Sequence, residues 1–127
     1  MDVRVEVRDG ASAVRVDLGE AEGDELADFI EMLDGLKRSL MVLTSGGGDE
    51  ILVGGGPEHF LATIESPFGG WNLVNPDGDP ADEPVDFTVG GQAITCPAEF
   101  TVTAAQVRAG LAAYESGSME PAWRPVD

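Results

Sequence analysis

Glycine-rich turns divide the middle of the chain into short apolar segments, and this pattern limits the fold more than any other feature. The segments are 40–43, 51–53, 60–64, 71–74, 85–89 and 92–95. Each is three to five residues long, and every connection from one segment to the next contains Gly, Pro, Asp or Ser, as is typical of β-strands. Such short connections join neighbouring antiparallel strands, and the Gly90-Gly91 pair suits a tight hairpin turn. The pattern predicts an antiparallel, meander-like sheet.

The N-terminus extends this sheet. Val3, Val5 and Val7 alternate with charged residues, and an apolar pattern resumes after the Asp9-Gly10 pair. Alternation with a period of two is typical of a half-buried strand, and Asp-Gly favours a tight hairpin turn. We therefore expect the chain to begin with a β-hairpin.

Two segments have helical periodicity. Leucine, isoleucine and phenylalanine recur at three- and four-residue spacing over 24–37, opposite a face of acids. Thr103 and Gln106 have the spacing of a capping box, and Gly117 is placed to end the helix that they begin. The prediction is one α+β domain over 1–127, with a single antiparallel, meander-like sheet and two helices packed on one face.

The net charge of the chain restricts which kinds of molecule can bind it. The 127 residues include 24 acids and only 7 Lys or Arg, which gives a formal net charge of −17. No Lys or Arg occurs between Arg38 and Arg108, so the middle of the chain is strongly acidic. A polyanion such as nucleic acid is an improbable ligand, whereas a basic protein surface is attracted. Solubility alone is the alternative reason for the charge.

Membrane association is not expected. No stretch reaches the roughly 18 apolar residues of a spanning helix, and the N-terminus lacks a secretory signal. We therefore expect a cytoplasmic protein. The excess of Ala, Gly, Asp and Val is typical of bacteria with GC-rich genomes.

Motifs for catalysis and cofactor binding are weak. The glycine triplets lack the Gly-Lys-Ser/Thr ending of a phosphate-binding loop, and neither Cys96 nor His59 has an identifiable third group for nucleophilic catalysis. The loop that starts at Asn75 is spaced like a calcium loop, but Pro80 stands where glycine is needed and Asp86 where glutamate is needed. We predict no catalytic residue, no metal site and no cofactor.

The C-terminal third resembles a known family. The similarity lies in Gly90-Gly91-Gln92, in Cys96-Pro97, in a helix with Val107, Leu111 and Tyr114, and in 115–121 followed by Trp123. Residues 51–54 followed by 60–63 add a similar central strand pair. The chain thus resembles the Imm-one family of immunity proteins of bacterial polymorphic toxin systems over about 40–125. It departs from the pattern at Glu120, where a basic residue is expected before the proline.

The resemblance implies an inhibitor of a cognate toxin domain, usually a nucleic-acid deaminase. A toxin of that kind needs a basic cleft, which an acidic protein could occupy in place of phosphates. The zinc-binding sequence of such deaminases is absent, so this chain would be the inhibitor. The candidate partner-binding residues are Asp77, Asp79, Asp82, Glu83, Asp86, Trp71 and Trp123.

Other interpretations stay open at this stage. Both tryptophans could serve only to cover the core. The protein could be a homodimeric structural or regulatory domain without a toxin partner. A small hydrolase that uses unassigned carboxylates is a third class.

Overall fold

The computed structural model describes residues 1–126 and contains nine strands and two α-helices in that range. The strands are β1 (Asp2–Asp9), β2 (Ser12–Glu20), β3 (Leu40–Thr44), β4 (Glu50–Gly55), β5 (Phe60–Ser66), β6 (Gly69–Leu73), β7 (Val85–Val89), β8 (Gln92–Cys96) and β9 (Trp123–Pro125). The helices are α1 (Asp24–Glu31) and α2 (Ala104–Ser116), and a 3₁₀ turn spans Ala98–Phe100. The predicted α+β class is confirmed.

Seven strands form one antiparallel sheet in the order β2-β1-β3-β4-β5-β6-β9. From β3 to β6 each strand pairs with the next one along the chain, so the predicted meander is confirmed there. The N-terminal hairpin is also confirmed, and α1 connects its outer strand to β3. Strand β9 was not predicted; it pairs with β6 through Leu73 and Trp123.

Neither helix of residues 1–126 has the length and apolar character to cross a membrane.

Helix α1 ends at Glu31, six residues before the predicted end. Asp34 accounts for the difference, because its Oδ1 accepts hydrogen bonds from the backbone amides of Leu36 at 2.9 Å and Arg38 at 3.0 Å. These bonds favour a turn over continued helix. Gly35 adopts a φ of 75° in this turn, and a β-carbon there would collide with the Gly56 carbonyl.

Helix α2 has the predicted termini. The Thr103 hydroxyl accepts from the Gln106 amide at 3.2 Å, and the Gln106 side chain accepts from the Thr103 amide at 2.9 Å, which completes the capping box. Gly117 ends the helix in the left-handed conformation, with a φ of 78°. This φ is accessible to glycine at little cost.

The core lies between the helices and one sheet face, as predicted. Leu26 and Ile30 of α1 and Val107 and Leu111 of α2 pack on side chains from β1, β3, β4, β5, β6 and β9. The sheet residues are Val3, Val5, Met41, Leu43, Ile51, Val53, Phe60, Ala62, Ile64, Leu73 and Trp123. Burial of this apolar surface is the main source of stability.

The β7–β8 hairpin forms a second, two-stranded sheet, although it was expected to continue the main one. It packs on the opposite sheet face, where Val89 lies against Gly54: a β-carbon at Gly54 would be 2.5 Å from a Val89 methyl. The Gly91 amide also donates to the Ser39 hydroxyl at 3.0 Å. Absence of a side chain at Gly54 thus lets the hairpin approach the sheet closely.

Candidate functional site

The acidic loop, residues 75–84 between β6 and β7, contains four of the predicted partner-binding carboxylates. Asp77, Asp79, Asp82 and Glu83 are all exposed. Within the loop, Asp79 Oδ1 accepts from the Ala81 amide at 2.8 Å and Asp82 Oδ2 accepts from the Asp79 amide at 3.1 Å. These side-chain-to-backbone bonds restrict the loop conformation.

Asn75 joins the acidic loop to the rest of the fold. Its side-chain amide donates to the Thr101 carbonyl at 2.9 Å, and its Oδ1 accepts from Gln106 Nε2 at 3.1 Å and from the Asp77 amide at 3.0 Å. One side chain thus contacts the segment before α2, the first turn of α2 and the loop itself. An asparagine side chain has two donor hydrogens and an acceptor oxygen, so Asn75 can make all of these hydrogen bonds together. They attach the acidic loop to the segment before α2 and to α2 itself.

Gly78 brings the acidic loop into close contact with the 3₁₀ turn. A β-carbon at Gly78 would collide with the Ala98 carbonyl and lie 2.9 Å from the Glu99 α-carbon. Any other residue would therefore push the loop outward. The position of Asp77 and Asp79 on either side depends on this contact.

The loop forms one wall of an open hollow with a volume of about 320 Å³. Asp77 and Asp82 line it, together with Glu58 and His59 from the connection between β4 and β5. The two connections meet because Phe60 and Val102 form a backbone bridge with N–O distances of 2.9 and 2.8 Å. We call this the acidic hollow.

None of the acids at the acidic hollow or in the acidic loop forms an ion pair with a described residue. The six ion pairs within residues 1–126 join Met1 to Glu20, Arg4 to Asp2, Arg8 to Glu6, Arg38 to Asp34, Arg108 to Glu31 and Arg124 to Glu99. Arg124 neutralises Glu99, which follows Ala98, and lies over the Phe100 ring at 5.5 Å. Glu58, Asp77 and Asp82 have no ion-pair partner within residues 1–126.

Asp86 lies outside the acidic loop, on β7. Its Oδ1 accepts from the Thr95 hydroxyl at 2.7 Å across the β7–β8 hairpin, and the residue is exposed. This bond fixes one carboxylate oxygen and leaves the other without a partner among the described residues. Asp86 thus extends the acidic surface onto the hairpin but does not line the acidic hollow.

The two tryptophans lie elsewhere. Trp123 is 1% exposed and packs in the core, so it presents no surface to a partner and is removed from the candidate site. Trp71 is half-buried and lines a different hollow, of about 540 Å³, near the β5–β6 turn. The structure therefore does not bring Trp71 together with the acidic loop.

The two residues considered for catalysis, Cys96 and His59, differ in their exposure to solvent. Cys96 is buried, and burial raises the pKa of its thiol above the usual value, opposed by a hydrogen bond with Thr101. His59 is exposed, and its ring centroid lies 6.2 Å from that of Phe87. Among residues 1–126 no three or more His, Cys, Asp or Glu side chains converge as a metal site.

Sequence reasoning did not include Glu58, His59 or Asn75 among the partner-binding residues. An Asn-Pro-Asp-Gly run is typical of a turn in which the asparagine side chain bonds to the backbone, so Asn75 had a local signal. Glu58 and His59 had none, because they reach the acidic hollow only through the Phe60–Val102 bridge. Contacts of that kind depend on the tertiary structure.

Comparisons of the chain with protein-family models, with curated proteins and with solved structures gave no match.

Proposed function

We propose that this protein is a non-catalytic immunity protein of the bacterial cytoplasm that neutralises a cognate toxin domain. In this proposal the acidic hollow and acidic loop cover a basic cleft that the toxin, as a nucleic-acid deaminase or a related enzyme, uses to bind nucleic acid. The observation that carries the proposal is a set of carboxylates that form no ion pair within residues 1–126 and lie at one site: Glu58, Asp77 and Asp82, with Asp79, Glu83 and Asp86 beside them.

Charge complementarity explains how such a site would act. A cleft that binds nucleic acid presents Lys and Arg to several phosphates, and clustered carboxylates can replace those phosphates. The attraction raises the rate of encounter more than it raises final affinity. Exposed carboxylates without an ion pair suit this role. A carboxylate already paired with a cation of the same chain would contribute less to the negative electrostatic potential that attracts the basic cleft.

Order in the loop supports the same proposal. Asn75, Asp79 and Asp82 use side-chain oxygens to bond backbone amides within the loop. A loop already held in one conformation loses less conformational entropy on binding. The resemblance of residues 40–125 to the Imm-one family agrees with an inhibitory role but is independent of this geometry.

The direct experiment measures association with a candidate basic toxin domain, sought first among the neighbouring genes, by stopped flow at several salt concentrations. The loop variant combines D77N, D79N, D82N, E83Q and D86N. Asparagine and glutamine keep a carbonyl acceptor, so the turn bonds of Asp79 and Asp82 persist while the charge is lost. We expect association at low salt to slow by roughly tenfold or more, with a flatter salt dependence.

A matched control separates local contact from net charge. Five exposed acids elsewhere, changed to their amides, alter the net charge equally; they are Glu22, Glu25, Asp28, Glu115 and Glu120. The control should slow association much less than the loop variant. Thermal unfolding checks the fold, and the loop variant should be as stable as the wild type or slightly more stable, because repulsion is relieved.

Two results would contradict different parts of this proposal. If the wild type neither binds nor inhibits the toxin domain, the proposed function is wrong. If it binds but the loop variant associates as fast as the wild type at low salt, the acidic loop is only a solvated surface. The contact would then be sought on α1, at Asp28 and Glu31.

A further inference from the structure

Strand β2 leaves one long edge of the main sheet open. It has nine residues without proline, and among the strands of residues 1–126 it pairs with β1 alone. Every residue of β2 except Leu18 is exposed. The other edge, β9, has three residues and ends at Pro125, which cannot donate to a further strand. An open edge is a template for pairing with another chain.

One face of β2 is apolar. Val14 and Val16 stand opposite Val7 and Val5 of β1, on the face that the helices cover over the rest of the sheet. The helices do not extend over β2, so Val16 is 39% exposed and Val14 62% exposed, against 1% for Val5. Leu18, half-buried against the core, continues this stripe.

The other face of β2 carries two opposite charges. Arg15 stands opposite Glu6 and Asp17 stands opposite Arg4 within the sheet. Arg15 forms no ion pair with a described residue, and Asp17 uses Oδ1 to accept from the Gly19 amide at 2.8 Å. One carboxylate oxygen of Asp17 and the whole Arg15 guanidinium are therefore available to a neighbouring strand.

We propose that the protein forms a two-fold symmetric dimer in which β2 pairs antiparallel with β2 of a second copy, centred on Val16. In this register Arg15 faces Asp17 of the second copy, and the reverse pair repeats by symmetry. Val14 faces Leu18 of the second copy on the apolar face. The two seven-stranded sheets then form one continuous sheet, with the helices of both copies on the same side.

The register follows from charge complementarity. A two-fold axis perpendicular to the sheet pairs residues of the same face, so the register moves in steps of two residues. One step in one direction places Arg15 opposite Arg15, and one step in the other places Asp17 opposite Asp17. Like charges directly opposite destabilise a strand pair, whereas opposite charges stabilise it. Of these three adjacent registers, only the one centred on Val16 pairs opposite charges.

The high net charge does not prevent this contact. The hairpin of residues 1–20 holds three of the seven basic residues and five of the 24 acids, whereas residues 21–127 hold the other four bases and 19 acids. The hairpin that carries this edge therefore has a formal net charge of −2 (3 − 5), against −15 (4 − 19) for the rest of the chain. The remaining acids repel across distances that physiological salt largely screens, since the Debye length is about 8 Å.

The contact should be weak. A β-bulge at the Val3/Arg4 step and the φ of 81° at Gly19 bend β2 after Asp17, so the paired segment is short. Interfaces of small area belong to transient complexes. We therefore expect an equilibrium between monomer and dimer that depends on protein concentration.

The test uses sedimentation equilibrium of the purified chain alone, without a toxin, so its result is independent of the proposed function. The weight-average mass of the wild type should rise with concentration from 13.3 kDa towards twice that value. R15D places four acids, and D17R four arginines, at the two paired positions. Each single variant should dimerise roughly tenfold or more weakly than the wild type, because like charges then oppose each other.

Mixing the two single variants is the decisive step. A copy with R15D and a copy with D17R form two attractive pairs with each other, so an isotope-labelled mixture should give a heterodimer by native mass spectrometry. The double variant R15D/D17R restores both pairs and the wild-type net charge, and it should dimerise like the wild type. Controls for net charge are Arg108→Asp and Asp28→Arg, which lie on the helices and should leave dimerisation unchanged.

Three results would overturn the proposal. They are a wild type that stays at 13.3 kDa at every concentration, a dimer that the single reversals leave intact, and a failure of the mixture and the double variant to recover the dimer. Circular dichroism verifies that the variants are folded, which is expected because both side chains are exposed on the edge strand.

Discussion

The indole nitrogen of Trp123 donates a 2.8 Å hydrogen bond to the carbonyl oxygen of Gly110, which joins the last strand to the middle of α2. The contact is buried, and α2 lies close to the sheet at this point. A β-carbon at Gly110 would be 2.5 Å from a Leu73 methyl, so any other residue there would require the Leu73 side chain to shift. Trp123 thus holds the C-terminal segment and α2 on the same part of the core.

Replacement of this ring should therefore be costly. Trp123→Ala should lower the free energy of unfolding by about 3–5 kcal/mol, because it removes a fully buried aromatic side chain. Trp123→Phe should cost less, since it loses mainly the hydrogen bond and part of the volume. Urea denaturation measures both. The matched control is Trp71→Ala, which should cost less than Trp123→Ala because Trp71 is only half-buried.

Gly78 should be required for the shape of the acidic loop. Gly78→Ala forces a β-carbon against the Ala98 carbonyl, so we expect the free energy of unfolding to fall by about 1–3 kcal/mol. Gly47→Ala is the control, because the nearest atom to its new β-carbon is Ser45 Oγ at 3.9 Å. Thermal unfolding of the two variants compares them. Equal stability would show that the loop moves away from the 3₁₀ turn without cost.

Asp34 should make the stability of the turn after α1 depend on pH. The hydrogen bond from the Arg38 amide, aided by that from Leu36, holds the pKa of this carboxyl below its usual value. A lowered pKa in the folded state means that the stabilisation is complete above the usual carboxyl pKa and is lost as the pH falls through the folded value.

The variant Asp34→Ala measures this contribution. It should be less stable than the wild type by about 1–3 kcal/mol at neutral pH, because two backbone amides lose an acceptor. The stability difference between the two proteins should shrink as the pH falls below the usual carboxyl pKa of 3.8 and through the lower folded-state value, where the wild-type carboxylate is protonated. Urea denaturation as a function of pH gives both curves. Asp28→Ala, at an exposed position of α1, is the control and should show no such change. If the difference in the free energy of unfolding between the wild type and Asp34→Ala does not change with pH, the ionised carboxylate has no stabilising role.

Direct binding to nucleic acid should be undetectable. With a net charge of −17, the chain repels a polyanion at every approach within a Debye length, about 8 Å at physiological salt. Fluorescence anisotropy with labelled single-stranded and double-stranded DNA and RNA measures this at physiological ionic strength. Binding without a bridging cation would contradict the proposal that the acidic surface replaces phosphates.

Local patterns were enough to predict most of the secondary structure. The strands between residues 40 and 96 were found because glycine turns bound them, and the start and end of α2 were found from Thr103, Gln106 and Gly117. The end of α1 was missed. Leu33 continues the apolar periodicity and is buried, but it already lies beyond the helix, whereas Leu36 is 79% exposed. The apolar periodicity of a sequence indicates which side chains reach the core. A turn that follows a helix can also place an apolar side chain in the core, so the periodicity does not show where the helix ends.

The sequence by itself determined the acidic loop, the charge and the α+β class, because each depends on composition or on neighbours a few residues away. Only the tertiary structure decided that Glu58 joins Asp77 and Asp82, that Trp123 is buried, and that the β7–β8 hairpin leaves the main sheet. These features depend on contacts between distant segments, such as Phe60 with Val102 and Gly54 with Val89. No local pattern encodes such contacts, since their free energy arises only when the segments pack together.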